Sequence, residues 1–249
     1  MKQPNAPADP PQSTMATRRR ALLTSTAVLL VPWRARAENL KGGTGLPWRP
    51  FAGDPPEAVR PGPWEFFAPE EGVAVEALVD RLIPPDPETP GGKDCGCAVF
   101  IDRQLAGAYG SASGLYMSPP FLPATPEQGL QEALTPAQLY RRMLAALDQY
   151  CRATYAGKTF AQLPDGEKDR IITGMENGSL KLEGTVAKPF FLILLQDTRQ
   201  GFFADPVYGG NRDMAAWKMI GFPGARYDYR DWVEQHNERY PHPPISIAG

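Results

Sequence analysis

Histidine is almost missing from this chain: among 249 residues only His236 and His242 carry an imidazole, and both lie near the C-terminus. Metal centres and general-base chemistry that lean on histidine therefore have little to draw on. A pair of His236 with Asp231 or Glu234 is the one arrangement to consider, and surface polar residues are the plainer reading. Cysteine is nearly as scarce. Cys95, Cys97 and Cys151 fall short of the four thiolates of an iron–sulfur cluster, and no Cys-x-x-Cys-His haem attachment occurs. A Gly-x-Gly-x-x-Gly turn after a strand is also lacking, because Gly42-Gly43-Thr44-Gly45 has neither the strand before it nor the helix after it. No catalytic, metal or cofactor-binding group is expected in this chain. Excess positive charge is missing too. Beyond the first 37 residues, which hold six basic side chains and one acidic, 20 basic face 27 acidic ones, a net of −7. Such a chain offers no electrostatic footprint for nucleic acid.

What is there begins with a leader. Arg18, Arg19 and Arg20 precede an apolar stretch from Ala21 to Val31, followed by Ala35-Arg36-Ala37 ahead of Glu38. A basic region, a short apolar region and a small-x-small site in that order make a secretory signal, cleaved after Ala37. The apolar stretch is far below the roughly 20 residues that span a bilayer. Paired Arg18 and Arg19 fit the twin-arginine pattern, which exports proteins already folded. The mature chain is expected in the periplasm.

The mature chain carries much of the 28 prolines and 24 glycines, so long loops are expected between helices. Residues 38–65 read as an extended arm and 66–249 as one helical domain. Pro69 suits the first helical position, with Glu70 and Glu71 near the positive end of the helix dipole. Val75, Leu78, Val79 and Leu82 then fall on one face up to Ile83, before Pro84-Pro85. A second helix is predicted over Cys95–Tyr109 and a third, opened by Thr135-Pro136, to about Tyr155. Asp165–Glu176 is a weaker helix, Phe190–Leu195 a central one apolar on every side, and Asp213–Ile220 a short one. The C-terminal Pro-rich tract is extended. No alternating strand of useful length occurs, so the class is all-α, a small irregular helical domain with Pro/Gly-rich loops.

Two features remain. In an oxidising compartment a Cys97–Cys151 disulfide is expected, because Cys97 precedes Ile101 and Cys151 follows Leu144 and Leu147 on apolar faces; three reduced, buried thiols are the alternative. Between Gly201 and Tyr229 aromatic residues, Met and Arg crowd among glycines, types favoured at protein interfaces. Phe202, Tyr208, Trp217, Phe222 and Arg226 are the candidate partner-facing residues, with ordinary core as the competing reading.

The stretches Gly201-Phe202-Phe203-Ala204-Asp205-Pro206, Tyr208-Gly209-Gly210-Asn211 and Gly221-Phe222-Pro223-Gly224 resemble the C-terminal signature of the gluconate 2-dehydrogenase subunit 3 family. Glu76-Ala77-Leu78, Arg81-Leu82-Ile83-Pro84 and Phe100-Ile101-Asp102 are similar to its N-terminal pattern, whereas Pro90-Gly91-Gly92 departs from a Pro-Gly-Ala turn. The resemblance, over roughly residues 64–245, implies a non-catalytic small subunit of a periplasmic, inner-membrane-associated dehydrogenase complex. It implies a large flavoprotein subunit that holds FAD, a multihaem cytochrome c subunit with haem c, and a chaperone-like role in maturing and exporting the flavoprotein through the Tat translocase. A stand-alone periplasmic binding or scaffold protein is the alternative. If Arg18 and Arg19 direct export, the double change to Lys leaves the chain in the cytoplasm on cell fractionation; normal periplasmic levels of that variant would refute the twin-arginine reading.

Overall fold

The structure, a computed structural model, describes residues 57–60, 62–122, 133–226 and 228–248. Arg18, Arg19, Ala37 and most of the arm lie outside the described residues. Among these residues six α-helices form: α1 Pro69–Leu82, α2 Cys97–Ala106, α3 Pro136–Thr154, α4 Asp165–Asn177, α5 Ala187–Phe203 and α6 Ala215–Ile220. The expected all-α class holds. The strands are two residues each, β1 Lys181–Leu182 and β2 Thr185–Val186, paired antiparallel with Leu182 opposite Thr185. A hairpin that short leaves no alternation to read in the sequence.

Local chemistry sets the helix ends. Glu71 accepts the Ala68 N–H at 2.8 Å, one turn back from its own position. Thr135 and Gln138 cap α3 reciprocally, Gln138 N–H to Thr135 Oγ1 at 3.3 Å and Thr135 N–H to Gln138 Oε1 at 3.0 Å. Helix α2 starts two residues later than Cys95, because Gly96 sits in the left-handed region at φ 81° and cannot belong to the helix.

Helix α5 is the centre. It packs most extensively on α2 and α4, and also on α1 and α3. Phe190 and Leu194 are fully buried, and the Phe190 ring meets Tyr140 of α3 edge-on at 5.1 Å. Each such side chain contributes about 1.5–3 kcal/mol by leaving water. The helix runs well past the apolar run at both ends, and it is not covered on every side: Leu192 is 55% exposed. Neighbours therefore surround most of α5 and leave a strip of it to solvent.

The expected Cys97–Cys151 bond is not formed. All three cysteines are free, buried thiols. Cys97 opens α2, its N–H bonded to Gly92 O at 3.0 Å, whereas Cys151 lies in the last turn of α3 near Asp148. Helix α2 meets α3 only slightly and packs mainly on α5 and α1, so apolar faces shared with the core do not bring these two thiols together. Burial pushes the Cys95 and Cys151 thiols up to about 11, which removes thiolate character at neutral pH.

The described part of the arm is tied to the domain from beneath. Asp102 of α2, wholly buried, accepts the backbone N–H groups of Glu65, Phe66 and Phe67 at 2.9, 3.0 and 2.9 Å. Arg103 pairs with Asp102 and with Glu65, and donates to Pro63 O at 3.1 Å. Further out, Val59 N–H reaches Val207 O at 2.8 Å. Replacing Asp102 by Ala strands three donors at once. The expected result in denaturant unfolding is a loss of about 3 kcal/mol, with faster amide hydrogen exchange over residues 65–67; unchanged exchange there would show that the carboxylate does not hold the arm.

Candidate functional site

After α5 the chain enters the glycine- and aromatic-rich segment, where Asp205 and Asn211 turn their polar groups inward. Asp205 caps the helical turn Pro206–Tyr208 through Val207 N–H at 3.0 Å, and the same carboxylate accepts Ser246 Oγ–H at 2.6 Å and Ile247 N–H at 2.8 Å. One side chain thus holds both the turn and the C-terminal tail. Asn211, fully buried in a left-handed conformation at φ 44°, donates to Ala204 O and accepts Ala216 N–H, each at 2.9 Å. A Cβ on Gly210 would overlap the Gly201 carbonyl oxygen, so only glycine lets the turn lie against the end of α5. The tail returns beside this segment through a parallel bridge of Gly224 with Ile245 and an Ala225 N–H to Ile245 O bond of 2.7 Å.

This framework divides the five candidate partner-facing residues. Tyr208 and Phe222 are exposed at 39% and 43%. Phe202 and Trp217 are core residues, 3% and 5% exposed, with Trp217 Nε1–H donating to Phe203 O at 2.9 Å. Those two are corrected here: the aromatic residue types that favour interfaces also fill cores, and the bond to Phe203 fixes the indole inward. Arg226 is half-buried, donating to Pro243 O at 2.5 Å with its guanidinium 5.0 Å from the Tyr240 ring centre. It braces the tail.

Large apolar side chains nevertheless reach solvent here. Phe203, Tyr208, Met219, Ile220, Phe222, Tyr229, Val233 and Ile245 are all more than a third exposed, and they account for eight of the fourteen such side chains among the described residues. A concentration of this kind in one segment is what interaction surfaces show. His236, Asp231 and Glu234 are exposed, and among the described residues no hydrogen bond joins them. No group of three metal-ligating side chains forms among the described residues either.

Sequence reasoning passed over one buried cluster. Asp197 of α5, 3% exposed, accepts Tyr140 Oη–H at 2.8 Å and Tyr109 Oη–H at 3.0 Å. Burial pushes its carboxyl from an ordinary 3.8 up to about 6, against the two tyrosine hydrogen bonds, which pull it back. Burial and the adjacent carboxylate push both phenols up in turn. The available signal was an acidic residue two positions after a wholly apolar run, which the dominant apolar reading of that helix obscured.

The fold and this surface define a small all-α domain whose C-terminal loops are pinned from within and carry apolar side chains outward. A profile of the family described as gluconate 2-dehydrogenase subunit 3 matches residues 69–224, more than half of the chain. The chain belongs to that family. No curated protein matches it, and no solved structure does.

The Asp197 cluster makes a prediction with a definite sign. A carboxyl raised in the folded state is fully compatible with folding below about pH 4, and its contribution is lost as pH rises through about 6. That amounts to about 3 kcal/mol between pH 4 and 7. Asp197→Asn keeps a hydrogen-bonding group in place without the charge, so wild type should lose stability relative to the variant over that range in urea titrations. Parallel curves would show that Asp197 does not titrate there.

Proposed function

We propose that this chain is the non-catalytic small subunit of a membrane-associated periplasmic FAD-dependent dehydrogenase complex of the gluconate 2-dehydrogenase type, needed for maturation and twin-arginine export of its flavoprotein subunit. In this reading the large subunit holds FAD and oxidises the substrate, and a multihaem cytochrome c subunit takes the electrons. Family membership supports the assignment to such a complex. The paired arginines ahead of a short apolar stretch support export of a folded assembly.

The observation that carries the docking part is the pair Tyr208 and Phe222, held outward on loops that Asp205 and Asn211 pin from beneath. Both lie within the matched stretch. Aromatic side chains on a preorganised backbone lose little freedom on binding and dominate interface energetics. The flavoprotein is the occupant, because a subunit of a dehydrogenase has to meet the subunit that does the chemistry.

Co-purification tests this together with stability. Tyr208→Ala with Phe222→Ala should weaken capture of the co-expressed flavoprotein at least tenfold and reduce its periplasmic activity, with the melting temperature of the small subunit unchanged. Trp217→Ala should act otherwise, lowering the stability of the isolated subunit by about 3–5 kcal/mol, as a core truncation does. Undiminished capture by the double variant would end the docking role of this surface.

A further inference from the structure

A groove of about 270 Å³ runs between the end of α6 and the C-terminal tail. Its first wall is Trp217 and Phe222, whose rings meet edge-on at 5.1 Å. The second is Tyr240, stacked edge-on with His242 at 5.5 Å, and the prolines around it. Lys218 and Arg239 stand at its sides, and no acidic residue lines it among the described residues. In a mature chain with a net charge of −7, a lysine and an arginine with no acidic neighbour in the lining are a local reversal of sign. Neither Lys218 nor Arg239 makes an ion pair among the described residues, although Arg81, Arg103, Arg141, Arg152, Arg170 and Arg230 all do.

We propose that this groove receives an extended acidic segment of the flavoprotein partner, its carboxylates on Lys218 and Arg239 and its backbone or an apolar side chain between the Phe222 and Tyr240 rings. The proposal rests on the docking reading above and names the chemistry of the docked chain. Three features select this occupant. Charge complementarity requires carboxylates. The groove is an open channel along the tail and not an enclosed cavity, which suits a length of chain better than a free small acid, whose sites bury most of its surface. Pro241, Pro243 and Pro244 have no N–H to offer, so an added strand cannot pair with this wall and recognition must run through rings and cations.

The groove's two walls differ in origin. Trp217, Lys218 and Phe222 lie within the stretch matched to the family, whereas Arg239 and Tyr240 lie beyond its end at residue 224. Gly221 supplies the test. It is left-handed at φ 70°, and a Cβ there meets nothing within 4 Å, so Asn, which tolerates that conformation, enters the mouth of the groove without a clash.

Carbodiimide joins an amine to a carboxylate only when they already touch. Applied to the purified complex and followed by peptide mapping, it should link Lys218 to aspartates or glutamates within one short segment of the flavoprotein. Gly221→Asn should abolish that link. Lys218→Glu with Arg239→Glu should weaken the complex at least tenfold at low ionic strength and flatten its salt dependence, while the melting temperature of the isolated subunit stays put. An intact complex with no Lys218 link and no response to charge reversal overturns the groove proposal but leaves docking through Tyr208 standing. If no complex forms, both fall. A third outcome is tryptophan quenching of the isolated subunit by millimolar gluconate that Gly221→Asn removes, with no link to the partner; it would assign the groove to a small acid and overturn the peptide reading.

Discussion

Buried side-chain acceptors that collect backbone N–H groups are what the rest of this structure depends on. A chain so rich in loops has many main-chain donors outside helices, and each one withdrawn from water needs a partner. Asp102 serves three of them in succession where the arm crosses α2. Asp205 repeats the device after α5, gathering a turn and the tail on one carboxylate. Asn211 does the same with an amide, which both donates and accepts. Charged acceptors bonded to several donors are strong enough to fix a loop that has few apolar contacts of its own.

The helical core plays the complementary part. Helix α5 offers a largely apolar surface to the five other helices, and burial there supplies the non-directional stabilisation that loops lack. Its buried polar residues are Thr198, bonded back to Leu194 O, and Asp197, which trades stability at neutral pH for a directional contact that fixes α5 against α3 and the turn after α2. Apolar packing alone tolerates sliding of one helix along another, and a hydrogen-bonded polar group within it does not.

How far this was legible in the residues follows from the same division. Pro69 and Thr135-Pro136 mark helix starts through local chemistry, so α1 and α3 stand where the sequence predicts them within a residue or so, and α4 runs one residue past its predicted end. Gly96 shows the limit, since nothing local says that it would take a left-handed conformation and shorten α2. The interface reading failed at Phe202 and Trp217 because residue type is silent about direction; only the bond from the indole to Phe203 O decides it. The disulfide reading failed for a related reason, because two cysteines on apolar faces share a core without sharing a place in it. Pins such as Asp102, Asp205 and Asn211 were visible as motif letters, but their partners are separated by 35 to 37 residues at Asp102 and by as many as 42 at Asp205, beyond any periodicity.

That separation bears on function. Within the family signature itself, Asp205, Gly210 and Asn211 hold the loops from inside, while Tyr208 and Phe222 are left to meet a partner. Asp205 makes the consequence plain, because one carboxylate fixes the turn that carries Tyr208 and the tail that carries Tyr240. A partner that reads both surfaces finds them in register only where residues 205 and 246–247 have met, a contact between parts of the chain about 40 residues apart. Docking on such a surface discriminates folded from unfolded subunit without any moving part. In the proposed export of a folded assembly, that discrimination is the property a partner-binding subunit needs.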